Sequence, residues 1–141
     1  MVLREILREK GAAVHSIGPD ATLDNVVQKL VEFNCGSLVV CREDRMVGII
    51  TERDILRFCA ARRMPLDACR VEGTMTGDVV TGKPGDSVEH TMGLMTEKRI
   101  RHLPILEDGR LCGLISIGDV VKAQHRIMAI ENQYLKTYIQ S

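Results

Sequence analysis

The sequence has no excess of charge of either sign and no basic stripe. Lysine and arginine together number 19, as do aspartate and glutamate, so the formal net charge is zero. A protein that binds nucleic acid through its phosphates usually carries a basic excess or a basic patch. We therefore expect no nucleic-acid partner.

A long apolar run is also missing. No stretch approaches the roughly 20 apolar residues that a helix needs to cross a bilayer. Near the start, Arg4, Glu5, Arg8 and Glu9 stand where a signal peptide would need an apolar block. These features predict a cytoplasmic protein that does not attach to a membrane.

Signatures of metal sites and of catalysis are absent as well. The five cysteines are odd in number and never spaced Cys-x-x-Cys, and the four histidines never follow a His-x-x-x-His pattern. We interpret the cysteines as reduced thiols rather than as a disulfide framework or a zinc site. They are Cys35, Cys41, Cys59, Cys69 and Cys112. No Gly-x-Ser-x-Gly or Walker sequence occurs, so we expect no enzyme; a cysteine near His102 would be the least implausible nucleophile.

What the sequence does contain is an internal repeat. The 141 residues, 45% of them apolar, suffice for one compact domain or for two half-size units that share a core. Shifting the sequence by 65 positions aligns residues 14–56 with 79–121 without a gap, and 8 of the 43 pairs are identical. Other pairs keep their chemical type: Ser16/Thr81, Thr22/Ser87, Leu23/Val88, Asp24/Glu89 and Thr51/Ser116. An internal duplication explains these pairs better than chance does.

Both copies predict the element order β-α-β-β-α. A short β-branched piece, "AVHSI" or "DVVTG", leads to a helix N-cap at Thr22 or Ser87. Two strands joined by polar turns come after the helix, "SLVVC" with "RMVGIIT" and "HLPIL" with "RLCGLIS". Thr51 and Ser116 then begin the last helix of each copy. Apolar spacing of i, i+4 and i+7 predicts one buried face on the first helix of each copy: Leu23, Val27 and Leu30, and Val88, Met92 and Met95.

The repeat sets the predicted domain organisation. We assign residues 14–62 and 79–125 to the two repeats, 63–78 to a linker, 1–13 to an N-terminal helix and 126–141 to a C-terminal helical extension. A repeat of about 60 residues would be marginally stable alone, so we expect the two sheets to pack against each other with pseudo-twofold symmetry. Two related clefts would then lie between the copies. The predicted fold class is α/β, of the α+β type.

The ends of the third strands carry a family resemblance. Gly48 to Asp54 reads GIITERD and Gly113 to Asp119 reads GLISIGD, each closing a β-α-β-β-α unit. With "IRHLPILEDGRLCGLIS" ahead of the second motif, the sequence resembles a tandem pair of CBS domains, also called a Bateman module, over most of the chain. The resemblance implies a regulatory module that binds adenosine-containing ligands and modulates a partner protein, as in the free-standing members of that family.

Asp54 and Asp119 admit two roles. With Thr51 and Ser116 they form the pattern of a capping box, in which a hydroxyl and an acid satisfy amides at the start of a helix. The resemblance implies a second role, in which each carboxylate accepts hydrogen bonds from both hydroxyls of a ribose. Asp119 would then be needed for nucleotide binding but not for the fold.

The resemblance also implies further residues near the ligand. In the first copy, the nucleotide site would comprise Ser16, Ile17, Cys35, Gly36, Ser37, Thr51, Arg53 and Asp54. In the second copy it would comprise Thr81, Ile100, Arg101, His102, Leu103, Pro104, Ser116 and Asp119. For Cys35, Ile100 and Leu103, simple core packing is an equally good interpretation.

The two predicted sites are not equal. The strip KRIRH, from Lys98 to His102, brings cations to the second site, although its first two residues also fit a solvated helix end. Arg53 compensates in part in the first site, where the counterpart in the second is Gly118. The resemblance implies AMP as the ligand, with ADP, ATP, NAD and S-adenosylmethionine as alternatives, and no catalytic cofactor.

Both chain ends predict further packing. Leu3, Ile6 and Leu7 form the apolar face of a short N-terminal helix. A rough apolar stripe near the C-terminus also needs cover, and CBS pairs resembling this one commonly form disc-shaped homodimers, so a homodimer is expected. The stripe comprises Ile130, Tyr134, Leu135, Tyr138 and Ile139. The alternative function is a ligand-free dimerisation or scaffold module in which the aspartates only cap helices.

Overall fold

The fold is built from two related repeats, a β-α-β-β-α unit and a second unit in which the leading strand is reduced to a single bridge residue. The computed structural model describes residues 1–61 and 64–140. The first repeat consists of β1 (Ser16–Ile17), α2 (Leu23–Phe33), β2 (Ser37–Arg42), β3 (Arg45–Thr51) and α3 (Glu52–Ala61). The second consists of α4 (Val88–Lys98), β4 (His102–Glu107), β5 (Arg110–Ser116) and α5 (Ile117–Gln140). A helix, α1 (Leu3–Lys10), precedes both, and two short 3-10 helices, Leu66–Ala68 and Val71–Gly73, lie between them. The predicted fold class and the duplication are confirmed.

The described chain divides into two compact units. One of them joins two segments that lie apart in the sequence. One unit is Ala13–Val80, and the other joins Met1–Ala12 to the chain from Thr81 onward. Thus α1, which precedes the first repeat in sequence, packs with the second. The segment between the repeats packs with the first. The repeat boundary that we expected at residues 62 and 63 lies outside the described residues.

The first unit has a three-stranded sheet in the order β1-β2-β3. Strand β1 runs parallel to β2, and β2 runs antiparallel to β3 with Ser37 opposite Thr51. The segment between the repeats closes the unit, because the Val71 amide donates to the Ala21 carbonyl at 2.8 Å and the Ile49 amide donates to the Thr76 carbonyl at 3.0 Å. The buried core consists of Ile17, Leu23, Val26, Leu38, Val40, Ile50, Ile55 and Val71.

The second unit has the antiparallel pair β4-β5. The prediction of a leading strand at "DVVTG" is wrong except at its last residue. Only Gly82 pairs with this sheet, in a parallel bridge to Ile105. Its amide donates to the Pro104 carbonyl at 3.0 Å, and its carbonyl accepts from the Leu106 amide at 2.9 Å. Glycine weakens a strand, and Pro84 two residues later has no amide to donate. The ladder therefore stops at a single bridge.

The predicted buried face of the first helix of each repeat needs one correction. In α2 the fully buried residues are Leu23 and Val26, while Val27 and Leu30 are only partly buried against the same core. In α4 the position that corresponds to Val26 is Thr91, which is 1% exposed. The core-facing stripe therefore follows an i, i+3 step at the start of both helices, which the i, i+4 spacing missed.

The predicted caps and turns are confirmed. Thr22 Oγ1 accepts from the amide of residue 25 at 3.2 Å, and Ser87 Oγ accepts from the amide of His90 at 3.0 Å. The turn residues Glu43 and Asp44 have φ of 50° and 64°. Left-handed backbone at both central residues suits a two-residue hairpin, because its twist matches that of the strands.

The two terminal segments are both helical. The predicted N-terminal helix is confirmed as α1, and its apolar face of Leu3, Ile6 and Leu7 is buried. The predicted C-terminal extension is helical as far as Gln140, because α5 runs without a break from Ile117 to that residue. Its last ten described residues are all exposed.

Two glycines at equivalent positions in β3 and β5 permit close packing of these flanking segments. A Cβ on Gly48 would lie 2.6 Å from Met75 Sδ and 2.7 Å from the backbone oxygen of Thr76. A Cβ on Gly113 would lie 2.5 Å from Cδ2 of Leu7. The motif glycine therefore leaves room for a segment that crosses the strand.

We expect Gly48→Ala to lower the free energy of unfolding by about 1–3 kcal/mol, because the added methyl meets backbone that must shift. Chemical denaturation measures the change. Gly93→Ala is the matched control, since Gly93 is exposed within α4 with no atom near its Cβ position. That control should raise stability by about 1 kcal/mol through helix propensity. Equal effects of the two substitutions would contradict the packing role of Gly48.

Candidate functional site

The first repeat holds an aspartate at the junction of β3 and α3. The Thr51 amide donates to Asp54 Oδ2 at 2.8 Å, and the Asp54 amide donates to Thr51 Oγ1 at 3.3 Å. This reciprocal pair is a capping box, which satisfies amides that the helix itself leaves unpaired. The Glu52 amide donates to the Gly36 carbonyl at 3.0 Å and so ties the helix start to the beginning of β2.

The second repeat reproduces this junction between β5 and α5. The Ser116 amide donates to Asp119 Oδ2 at 2.9 Å, and the Asp119 amide donates to Ser116 Oγ at 3.1 Å. The Ile117 amide donates to the Arg101 carbonyl at 2.8 Å, as Glu52 does to Gly36. The predicted capping role of both aspartates is therefore present in the structure.

The capping box leaves part of the Asp54 carboxylate available. Both contacts with Thr51 use Oδ2, and Oδ1 accepts no hydrogen bond from residues 1–61 or 64–140. The residue is only half-buried. Its neighbour Arg53 is exposed and forms no hydrogen bond or ion pair within the same described ranges. The junction thus presents a carboxylate oxygen and a guanidinium that can both bind a ligand.

Two other residues predicted for the first site, Gly36 and Ser37, lie at the start of β2. Gly36 and Ser37 adjoin the junction directly, because Ser37 pairs with Thr51 across the sheet. Ser37 is 2% exposed, and its Oγ has no hydrogen-bond partner among the described residues. A buried hydroxyl without a partner costs free energy, so it often marks a place where a missing group binds.

Three further residues of the predicted first site lie deeper or farther along the sheet. Ile17 is 6% exposed and belongs to the hydrophobic core. Cys35 packs against that core, and its thiol donates to the Ser37 carbonyl at 3.5 Å. Ser16 is exposed and pairs with Val39, two residues along β2 from Ser37. Core packing is thus present for Ile17 and Cys35 whatever else they contact.

In the second site, His102 and Ser116 are opposite each other at the sheet end, as Ser37 and Thr51 are in the first. Leu103 is fully buried, and Pro104 is buried beside it. Arg101 is exposed at the junction, where its carbonyl receives the Ile117 amide. The remaining predicted residues, Thr81 and Ile100, are partly buried.

A contact that the sequence did not predict distinguishes the second junction. Lys10 of α1 donates from Nζ to Asp119 Oδ2 at 2.7 Å and to the Leu114 carbonyl at 2.8 Å. Burial acts to raise the pKa of Asp119, but the Lys10 ammonium and the Ser116 amide outweigh it, so the pKa lies below its ordinary value. The only sign of this contact in the sequence is a basic residue at the end of an amphipathic helix. The sequence gives no distance between two positions that lie so far apart along the chain.

The cysteines and the other potential metal ligands can be described for residues 1–61 and 64–140. All five cysteines are unpaired thiols. No group of three or more metal-ligating side chains occurs there. None of the helices described is both long and apolar enough to cross a membrane.

Comparison with known proteins agrees with the duplicated architecture. The family model of the CBS domain matches twice, at residues 3–61 and 70–126. The mitochondrial CBS domain-containing protein CBSX3 of Arabidopsis thaliana is 33% identical over 98% of this chain and 71% of its own length. The inosine-5'-monophosphate dehydrogenase of Methanocaldococcus jannaschii is 33% identical over 77% of this chain but only 21% of the enzyme.

A solved structure extends the likeness to three dimensions. The CBS-domain containing protein ATU1752 from Agrobacterium tumefaciens superposes with a TM-score of 0.85 at 35% identity, over 88% of this chain and 99% of that one. Two family matches cover most of the sequence, and the structural match spans 88% of it. The chain therefore belongs to the CBS domain family and contains a tandem pair of CBS repeats.

Proposed function

We propose that this CBS pair is a regulatory module that binds an adenine nucleotide and modulates a partner protein. CBS pairs are generally regulatory and often bind adenosine ligands, which supports a sensor rather than a catalyst. The relative from Methanocaldococcus jannaschii, in which the matching part is about a fifth of a dehydrogenase, supports a role beside an enzyme. The ligand that we favour is AMP, with ADP, ATP, NAD and S-adenosylmethionine as alternatives.

The Asp54 carboxylate is the observation that carries this proposal. A helix cap requires one carboxylate oxygen, and Oδ1 remains available to accept the hydroxyls of a ribose. Such hydrogen bonds to an ionised acceptor contribute about 1.5–3 kcal/mol each. Arg53 beside it, which forms no ion pair with residues 1–61 or 64–140, suits a phosphate, and the buried Ser37 hydroxyl suits a polar group of the base.

The size of a nucleotide sets the affinity to expect. AMP has about 23 non-hydrogen atoms, and ligands of this size gain roughly 0.3 kcal/mol per atom. The sum of about 7 kcal/mol corresponds to a dissociation constant on the order of 10 μM. That range suits a sensor of cellular nucleotide levels. The free thiols suit a reducing compartment, for which we propose the cytoplasm.

A homodimer is also proposed. Leu56 and Val121 occupy equivalent positions on the last helix of each repeat and are 68% and 52% exposed. The end of α5 exposes Ile130 and Tyr134 as well, beside an apolar groove of about 740 Å³ that these two residues line with Ile127 and Leu135. A second copy of α5, packed antiparallel on the same face, would cover this stripe with its own apolar side chains.

We expect AMP to bind the wild-type chain and Asp54→Asn to weaken that binding at least tenfold, because the neutral amide loses the charge-assisted bonds. Isothermal titration gives the affinity. Thermal shift checks it independently, since ligand at about 100 times its dissociation constant adds roughly 2.7 kcal/mol of stability.

Asp86→Asn is the matched control for this test, because Asp86 accepts a similar local bond from the Lys83 amide at 2.9 Å outside the site. It should leave AMP affinity unchanged. If none of the five adenosine ligands binds or shifts the melting temperature, the ligand-free scaffold becomes the better account.

The dimer is tested by light scattering, which should give twice the 15.7 kDa chain mass at micromolar concentration. Substituting Ile130 and Tyr134 together with glutamate should produce monomers, because the carboxylates would be buried unpaired. Asn132→Glu lies on the opposite side of the helix and should leave the dimer intact. A wild-type monomer, or a dimer that survives the double substitution, would rule out this interface.

A further inference from the structure

The two repeats differ in what contacts the aspartate of the capping box. Among the residues that the structure describes, Asp54 receives hydrogen bonds from Thr51 alone. Asp119 receives the Ser116 amide and, in addition, the Lys10 ammonium at 2.7 Å. The Lys10 and Asp119 side chains are 35% and 24% exposed, so water screens this ion pair only in part. The difference arises from α1 and not from the repeats themselves.

Lys10 is held in position by the packing of the whole helix. The face of α1 that includes Leu7 is buried, and Leu7 lies against Gly113 of β5. Glu9 forms an ion pair with Arg126 of α5 at 2.6 Å. The second hydrogen bond of Lys10, to the Leu114 carbonyl, fixes its ammonium beside the strand. The lysine is therefore presented to Asp119 by a docked element and is not a loose surface side chain.

The cavity beside this ion pair is too small for a nucleotide. It has a volume of about 120 Å³ and is lined by α1 and α5, with Lys10 and Asp119 in its wall. Pockets that hold small-molecule ligands start at roughly 300 Å³. Access to Asp119 from this side thus requires that α1 release its lysine.

We propose that Lys10 is a specificity-determining residue, which competes with ribose for Asp119 and leaves Asp54 as the stronger diol acceptor. This inference rests on the proposed nucleotide binding. A hydrogen bond to an ionised acceptor is roughly twice as strong as one between neutral groups. In both repeats the cap uses Oδ2, but at Asp119 the ammonium also neutralises the carboxylate, so a hydroxyl donated to Oδ1 gains less there than at Asp54. AMP consequently fills the first repeat before the second.

The experiment is a titration with AMP of the full chain as wild type and as the variants Lys10→Met, Asp54→Asn and Asp119→Asn. When Lys10 is present, Asp54→Asn should remove the tighter binding event, and Asp119→Asn should change that event little. Lys10→Met keeps the length of the side chain and its helix propensity but removes the charge. It should tighten the weaker event about tenfold, and adding Asp119→Asn to it should cancel the gain.

Arg8→Met is the matched control, since Arg8 is an exposed cation on the same helix with no ion pair in the described part of the chain. It should leave both events unchanged. Lys10→Gln provides a second neutral variant, and melting temperatures verify that each protein is folded.

The possible results separate the two proposals. If Asp54→Asn weakens AMP binding while Lys10→Met behaves like Arg8→Met, nucleotide binding stands and the role of Lys10 is overturned. Equal affinities of the two sites in wild type would overturn it too. If neither wild type nor Lys10→Met binds AMP, both proposals fall.

Discussion

The hydrogen-bonded pair of a hydroxyl residue and an aspartate three positions later fixes both strand-to-helix junctions. Thr51 with Asp54 and Ser116 with Asp119 each satisfy amides that would otherwise stay unpaired. Because the pair sets the direction in which the helix leaves the strand, it also places a carboxylate beside the first residues of the neighbouring strand. The candidate ligand site is therefore a by-product of how the chain closes each repeat.

Identical junctions need not have identical chemistry. A duplicated sequence supplies the same carboxylate twice, but the segments that pack on the two units differ. In the second unit, the docked helix α1 brings the Lys10 ammonium to Asp119 and packs Leu7 against Gly113. In the first unit, the segment between the repeats brings the thioether of Met75 to Gly48, the glycine equivalent to Gly113. Divergence in the flanking segments can thus change the surroundings of the capping aspartate without any change in the repeats.

Features set by neighbours in sequence were predictable, and features set by distant contacts were not. The caps at Thr22 and Ser87, the hairpin turns and the element order apart from the leading strand of the second repeat follow from local residue types, and the structure has them. The burial of Val26 and Thr91 depends on the exact angle at which a helix meets its sheet, which periodicity fixes only to within one residue.

The same distinction between local and distant contacts applies to the candidate site. The placement of Asp54, Thr51 and Ser37 around one sheet end follows from hairpin register, which the two-residue turn between β2 and β3 helps to fix. The contact of Lys10 with Asp119 spans 109 positions and depends on the docking of a helix outside the repeat. No periodic pattern carries that information.

The interleaved make-up of the units bears on how the protein forms during translation. The unit Ala13–Val80 is continuous and can fold as soon as it leaves the ribosome, whereas α1 emerges before this unit and the strands on which α1 packs emerge after it. At about 5–20 residues per second, the helix waits several seconds with its apolar face uncovered. A helix that is made before the first unit thus finds its place only after that unit is complete, and nascent-chain chaperones have access to its apolar face in the meantime.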